Sequence, residues 1–303
     1  MATITAPTPA PTPVEQDLKR PARSLWGDAW RRLLSSVTGR IGLGLSLFLI
    51  LLALLIPYLL PYTPGTDNNP ADRLRAPSAQ HWFGTDEQGR DVFTRVLHGS
   101  RLSITVGIFS AGLAVIVGSV LGLVAGFLGG WFDVIATWIF DIMLAFPSLL
   151  LAIAIVAILG PSLINTMMAV AIVEIPVFGR IARSAVLSTR NYEYVTAATA
   201  TGVTRSRTLF RHILPNSLSP MMVQATLSIA TSITSAAALG FLGLGAPPPA
   251  PEWGKMLAVA RDQVILGKWW VSFFPGMGIM LMVLGFNLLG DGLRDALDPR
   301  LKK

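Results

Sequence analysis

Glu174 lies inside an otherwise apolar stretch, AVAIVEIPVFGR. A carboxylate in hydrocarbon is costly unless it faces a cavity or a partner. Glu174 is therefore read as lining a path through the membrane or pairing across a subunit interface, against a snorkelled, protonated or structural carboxylate. Pro176, two residues on, frees a carbonyl on the preceding turn and favours a kink. Asp133 and Asp141 stand eight residues apart just before another apolar stretch. Two carboxylates can suggest acid/base work, yet no nucleophile, histidine or metal ligand lies near them in sequence. A cap, a helix-terminus charge or a polar interhelical contact is the first reading of Asp141. Asn287 is read first as an interhelical hydrogen-bonding group. Asp141, Glu174, Pro176 and Asn287 together are the candidate path residues. His81, His98 and His212 are far apart and form no ligand spacing. The absence of cysteine excludes a disulfide framework, a thiolate metal site and a catalytic thiol. No catalytic residue, metal site or resident cofactor is expected, and no G-x-x-x-x-G-K-[ST] phosphate loop is present.

The elements that must carry these residues are apolar. Hydrophobic residues make up 52% and charged residues 14% of the chain, with mean hydropathy +0.59. Soluble domains carry roughly a quarter charged residues, so the chain is read as an all-α polytopic membrane protein. Six transmembrane helices are expected, at about 41–60, 103–127, 131–159, 162–178, 221–244 and 273–289. The organisation follows: an arm, 1–40, whose Pro/Ala/Thr-rich first part (1–16) should be disordered; a first span, 41–60; an outer loop, 61–101; a core membrane domain, 102–290, with a polar loop at 190–216; and a tail, 291–303. Leu25–Leu34, with Trp26, Trp30 and Arg31-Arg32, reads as an amphipathic surface helix or a positive anchor. The arm, the segment between the fourth and fifth spans (180–211) and the tail hold sixteen Lys/Arg against eight in the two long loops of the other side. Both termini and the 190–216 loop are therefore expected in the cytoplasm. The net charge of +7 is explained by this asymmetry and does not call for nucleic acid. Gly118, Gly122 and Gly126 give the second span a smooth face for close packing.

The polar loop reads YEYVTAATATGVTRSRTLFRHILPN from Tyr192 to Asn216. Its alanines form helix, Gly202 permits a turn between two short helices, and Pro215 stops or starts one. The pattern resembles the EAA…G…LP loop of permease subunits in ATP-binding-cassette importers, whose coupling helices seat in a groove of the ATPase. Ala197-Ala198, Gly202 and Leu214-Pro215 match. Thr196 stands where the motif has glutamate, Glu193 lies three residues earlier, and His212 occupies the usual isoleucine position. The resemblance implies an ATPase-coupling role for Glu193, Tyr194, Val195, Thr196, Ala197, Ala198, Gly202, Val203, Arg205, Arg211, His212, Leu214 and Pro215.

Other stretches are similar to one branch of that superfamily, the dipeptide/oligopeptide/nickel permeases of the DppC/OppC type. They are FGTDEQGRDV (83–92), FLGLG (241–245) with PPPAPEWG (247–254), FPG (274–276), FNLLGDGLRD (286–295) and LDPR (297–300). The resemblance implies the type I importer permease fold, a second homologous permease, two ATP-binding subunits that hold ATP and Mg, an extracytoplasmic substrate-binding protein, and a bacterial or archaeal inner membrane. It implies uptake of di- or oligopeptides, with nickel chelates or glutathione as alternative cargo. Rigid prolines beside Glu252 and Trp253 suit docking of a soluble protein, with Pro248, Glu252 and Trp253 as candidates; a lid packed on its own subunit is the competing reading. FGTDEQGRDV is read as a fixed turn with ion pairs at the outer surface, with binding-protein contact as the second reading. Two rival classes remain: an ion-gradient-driven transporter using Glu174 and Asp141 as a relay, and a non-transporting scaffold.

Overall fold

A computed structural model describes residues 25–297 and is all-helical there apart from loops and one isolated bridge, Thr85 to Asp91. The arm expected to be disordered (1–16) and the last tail residues (298–303) lie outside the described residues. The helices are α1 (Leu25–Ser35), α2 (Val37–Leu59), α3 (Val92–Leu128), α4 (Gly130–Ala145), α5 (Ser148–Leu159), α6 (Leu163–Thr189), α7 (Glu193–Ala200), α8 (Arg205–Thr208), α9 (Leu214–Phe241), α10 (Trp253–Ile265) and α11 (Trp270–Leu297). A π turn, Leu209–Ile213, joins α8 to α9.

Among the described residues, four helical stretches are long and apolar enough to cross a membrane: α2, α3, the run Arg205–Phe241 and α11. A fifth is added if α4 and α5 count as one span, but they meet at 95°. This corrects the expectation of one straight third span. The break falls at Phe146-Pro147, where proline cannot continue the ladder of the preceding helix. α3 also differs from expectation. It starts at Val92, not near Ser103, because Asp91 caps it by accepting from the Thr94 N–H at 2.8 Å. The last quarter of the expected outer loop is thus helix. The loop after α9 contains α10, a helix absent from the sequence reading.

α3 and α6 form the most extensive pair. Gly118, Gly122 and Gly126 face the backbone of α6 at Ile175, Gly179 and Arg183, and a Cβ on Gly126 would lie 3.0 Å from the Arg183 carbonyl. The glycine face therefore packs within the subunit, where small residues let two backbones approach. α11 packs on α2, and α9 lies between α11, α3 and α6. The main apolar core sits among α2, α3, α9, α10 and α11.

Candidate functional site

The polar loop folds as the two short helices its composition predicts. α7 starts after Tyr192, with Glu193 in its first turn, where a negative charge meets the positive helix end. Its other end is closed at Gly202, which takes φ +81°. The Gly202 N–H donates to Thr199 O at 3.1 Å and the Val203 N–H to Ala198 O at 3.2 Å. This is a Schellman cap, which needs a left-handed residue at that place. α8 then runs through the π turn into α9. The widened turn precedes Pro215, whose ring would collide with the carbonyl four residues back in a regular α turn.

Two buried side chains hold the loop to the bundle. Val195 and Ile213, 3% and 1% exposed, cluster with Val186 of α6 and rest on Leu123 and Phe127 of α3. The outer face is left to solvent. Glu193, Tyr194, Thr196, Ala197, Gly202, Arg205, Arg211 and Pro215 are exposed, while Ala198, Val203, His212 and Leu214 are half-buried. Arg205, Arg207 and Arg211 form no ion pair among the described residues. Thr196 bonds only within its helix, to Tyr192 O at 3.4 Å. Tyr194 Oη donates to His212 O at 3.4 Å, tying α7 to the π turn. Phe210, 65% exposed, belongs to the same surface. Sequence reasoning passed over it, although an aromatic among arginines was the available signal. The face is thus small-residue backbone flanked by aromatics and unpaired cations, able to enter a groove that carries carboxylates.

Glu174 lies between α6 and α9. Ser228 Oγ and Thr231 Oγ1 each donate to one of its oxygens at 3.2 Å. Ser228 is buried and Thr231 exposed, so the carboxylate sits at the edge of the helix pair. Asp141 is not joined to it. Arg180 of α6 pairs with Asp141, and Arg183 grips Asp133 through two bonds, one at 2.7 Å. The structure therefore makes Asp141 an interhelical contact and gives no relay between it and Glu174. Pro176 is buried within an unbroken α6. Asn287 is half-buried on α11 and makes no side-chain hydrogen bond among the described residues.

The outer docking candidates divide. Pro248 is exposed. Glu252 and Trp253 are 6% and 2% exposed and offer no surface to a soluble partner. Glu252 caps α10, accepting from the N–H groups of Gly254 at 2.7 Å and Lys255 at 2.8 Å. Burial holds its carboxyl above the usual range, against the pull of those two N–H groups. Trp253 donates to Val96 O at 2.9 Å and fills the space beside Gly99 and Gly278. The lid reading holds for these two residues. FGTDEQGRDV is a built turn in which Arg90 pairs with Asp86 at 2.7 Å and Phe83 stacks on Phe274 at 3.8 Å.

Comparison with known proteins agrees in kind with this architecture. Residues 118–303 match the family of binding-protein-dependent transport system inner membrane components. Residues 24–77 match the N-terminal TM domain of oligopeptide transport permease C. The chain is 54% identical over 295 residues to the dipeptide transport system permease protein DppC of Alkalihalophilus pseudofirmus, covering 97% of this chain and 96% of that protein. It is 49% identical over 266 residues to the di/tripeptide permease protein DppC of Pseudomonas aeruginosa, covering 86% and 88%. It is also 46% identical over 295 residues to the glutathione permease protein GsiD of Pectobacterium atrosepticum, covering 97% and 96%.

Proposed function

The chain belongs to the family of binding-protein-dependent transport system inner membrane components, and from that premise we propose that it is the permease subunit of an ATP-driven importer of di- or oligopeptides. The observation that carries the coupling part is the loop geometry: two short helices and a π turn, capped at Gly202 and pinned by Val195 and Ile213, that expose three arginines with no ion pair among the described residues. The peptide part follows the relatives, two of which are named for dipeptide or di/tripeptide transport and one for glutathione.

In this reading the chain lies in a bacterial or archaeal inner membrane with both termini inside, as its Lys/Arg asymmetry favours. Six spans are counted when the bent α4–α5 pair is the third and α6 the fourth. A homologous second permease completes the path. Two ATPase subunits bind ATP and Mg and receive the loop, and a substrate-binding protein delivers cargo outside. Closure of the ATPases pushes the loop, and the loop moves the bundle between inward- and outward-open states. Glu174, with Pro176, stands at the path or the subunit seam.

The test is ATPase activity of the purified assembly in lipid, with and without binding protein and a panel of peptides. Stimulation by one loaded binding protein is expected. Uptake that persists without the ATPase subunits and follows an ion gradient would refute the proposal. ATPase subunits that co-purify but do not respond to loaded binding protein would point instead to a scaffold.

A further inference from the structure

Glu174 is held from one side only. Ser228 and Thr231 of α9 give one hydroxyl to each of its oxygens, about half of what a carboxylate can accept. No cation pairs with it among the described residues. Arg180, six residues on, lies about a third of a turn off the Glu174 face of α6 and is taken by Asp141. An uncompensated carboxylate at membrane depth is costly. Thr231 is exposed and Glu174 half-buried, so the Oε1 side of the carboxylate stays open.

Helix periodicity puts this open side in line with a groove. The groove, about 790 Å³, is lined by the loop-side ends of α6 and α9 together with α1 and the end of α11. Ile181 lines it from α6, and Gln224 and Leu227 line it from α9. Ile181 comes seven residues after Glu174, and Gln224 seven before Thr231. Seven residues are two turns to within about 20°, so each pair shares one face of its helix. Leu227 is one turn short of Thr231. Glu174 and Thr231 therefore stand together at the membrane end of the groove, about 6–10 Å beyond its lining. Asp28, Arg32 and Arg294 line it from α1 and α11, at the loop side.

We propose that Glu174, oriented by Ser228 and Thr231, takes the ammonium group of the cargo, the free amino terminus of a peptide, on its way into the groove. The proposal rests on the importer reading and gives its path a chemical preference. An ammonium brings three N–H donors to the unfilled acceptor sites of the carboxylate, and it brings the missing positive charge. The two hydroxyls keep the carboxylate aimed while cargo comes and goes.

The chain has no cysteine, so one introduced thiol can report on the site. Gln224→Cys and, separately, Ile181→Cys are placed in the complete importer in lipid nanodiscs, and thiol modification of this chain is timed by intact mass. The cationic reagent aminoethyl methanethiosulfonate is compared with its anionic sulfonatoethyl counterpart. Adding Glu174→Gln should lower the cation-to-anion rate ratio about tenfold, and Glu174→Asp should keep most of it. Arg32 and Arg294 are the same in all backgrounds and cancel from the comparison. The peptide that best stimulates ATP hydrolysis should slow the cationic reaction, and its N-acetyl form should not. A ratio untouched by Glu174→Gln would mean that the carboxylate is protonated or already holds a partner's cation, and the proposal fails. It fails too if neither thiol reacts, because the groove is then covered in the assembly. Equal protection by both peptide forms would overturn the amino-terminus assignment. Wild-type importer that is not stimulated by loaded binding protein would remove the importer reading, and the rate ratio would then still report on Glu174 as a cation site.

Discussion

Alanine at position 202 would test the coupling loop through its backbone alone. No atom lies within 4 Å of a Cβ built on Gly202, so the substitution meets no side-chain clash. The cost is conformational: φ is +81°, and an L-residue held in the left-handed region costs about 1–2 kcal/mol. The two cap bonds, at 3.1 and 3.2 Å, must break or bear that strain. Such a penalty is a factor of roughly 5–30 against the capped geometry. Asparagine tolerates this region better, and valine, being β-branched, tolerates it worse. The assay is the binding-protein-stimulated part of ATP hydrolysis in proteoliposomes, with the melting temperature of the assembly as control. Stimulation should fall about fivefold or more for Gly202→Ala, less for Gly202→Asn and further for Gly202→Val, with melting unchanged. Damage ordered by side-chain size, with asparagine worse than alanine, would refute the backbone argument. Wild-type stimulation in all three would remove Gly202 from coupling.

Other consequences follow from the same geometry. Glu174→Gln should lower uptake while leaving assembly intact; unchanged uptake removes the residue from the path. Gly122→Val should abolish assembly, scored by co-purification of the second permease, because its side chain meets the Gly179 carbonyl across the α3–α6 seam. Trp253→Ala should cost about 3–5 kcal/mol, as for a large buried aromatic, and appear as a lower melting temperature. Glu252 is more basic folded than free, so the folded state binds more protons than the unfolded one there. Its contribution is full below the ordinary carboxyl range and is lost as pH rises through the raised value. Thermal melts from acid to neutral pH should show this loss in wild type and a flatter profile in Glu252→Gln.

The loop was legible because its signals are local. Alanines on both sides of a glycine, then Leu214-Pro215, state two short helices and a restart without any tertiary information. The path residues were legible only as oddities. Glu174 is conspicuous in sequence, but its partners Ser228 and Thr231 lie 54 and 57 residues away. Asp141 read first as a cap or an interhelical contact, but its partner was hidden because Arg180 and Arg183 counted as loop charges, and nothing local pairs them with α4. The run from Trp131 to Leu159 read as one span because hydropathy has no angle. Pro147 was the sign that it breaks. Arg95, His98 and Arg101 disguised the first turns of α3 as loop, although Asp91 with Thr94 is a cap signal. Glu252 and Trp253 looked like docking surface because charge and aromatic character are read from composition, whereas burial is set by the whole bundle.

The ion pairs also bear on how a push at the loop would travel. α6 is joined to α4 at two levels, Arg180 to Asp141 and Arg183 to Asp133. Arg190, at its end, donates to Gly126 O of α3 at 3.2 Å. The glycine seam locks α3 and α6 from Gly118 to Gly126, and Val195 and Ile213 fix the loop to the same pair. A contiguous set of packed and bonded elements transmits displacement as a body. In the importer reading, α3, α4, α6 and α7 therefore move together, and α5, turned 95° from α4 at Phe146-Pro147, rests on α6 through Ala152 and Val156. Breaking both ion pairs with Asp133→Asn and Asp141→Asn tests this. Each pair is partly or half exposed, so the stability lost should be small, about 1 kcal/mol or less apiece. Coupling should suffer more than stability, with ATP hydrolysed per peptide imported rising while the melting temperature barely moves. A double variant that loses stability but keeps that ratio would show that the staples hold the fold and not the stroke.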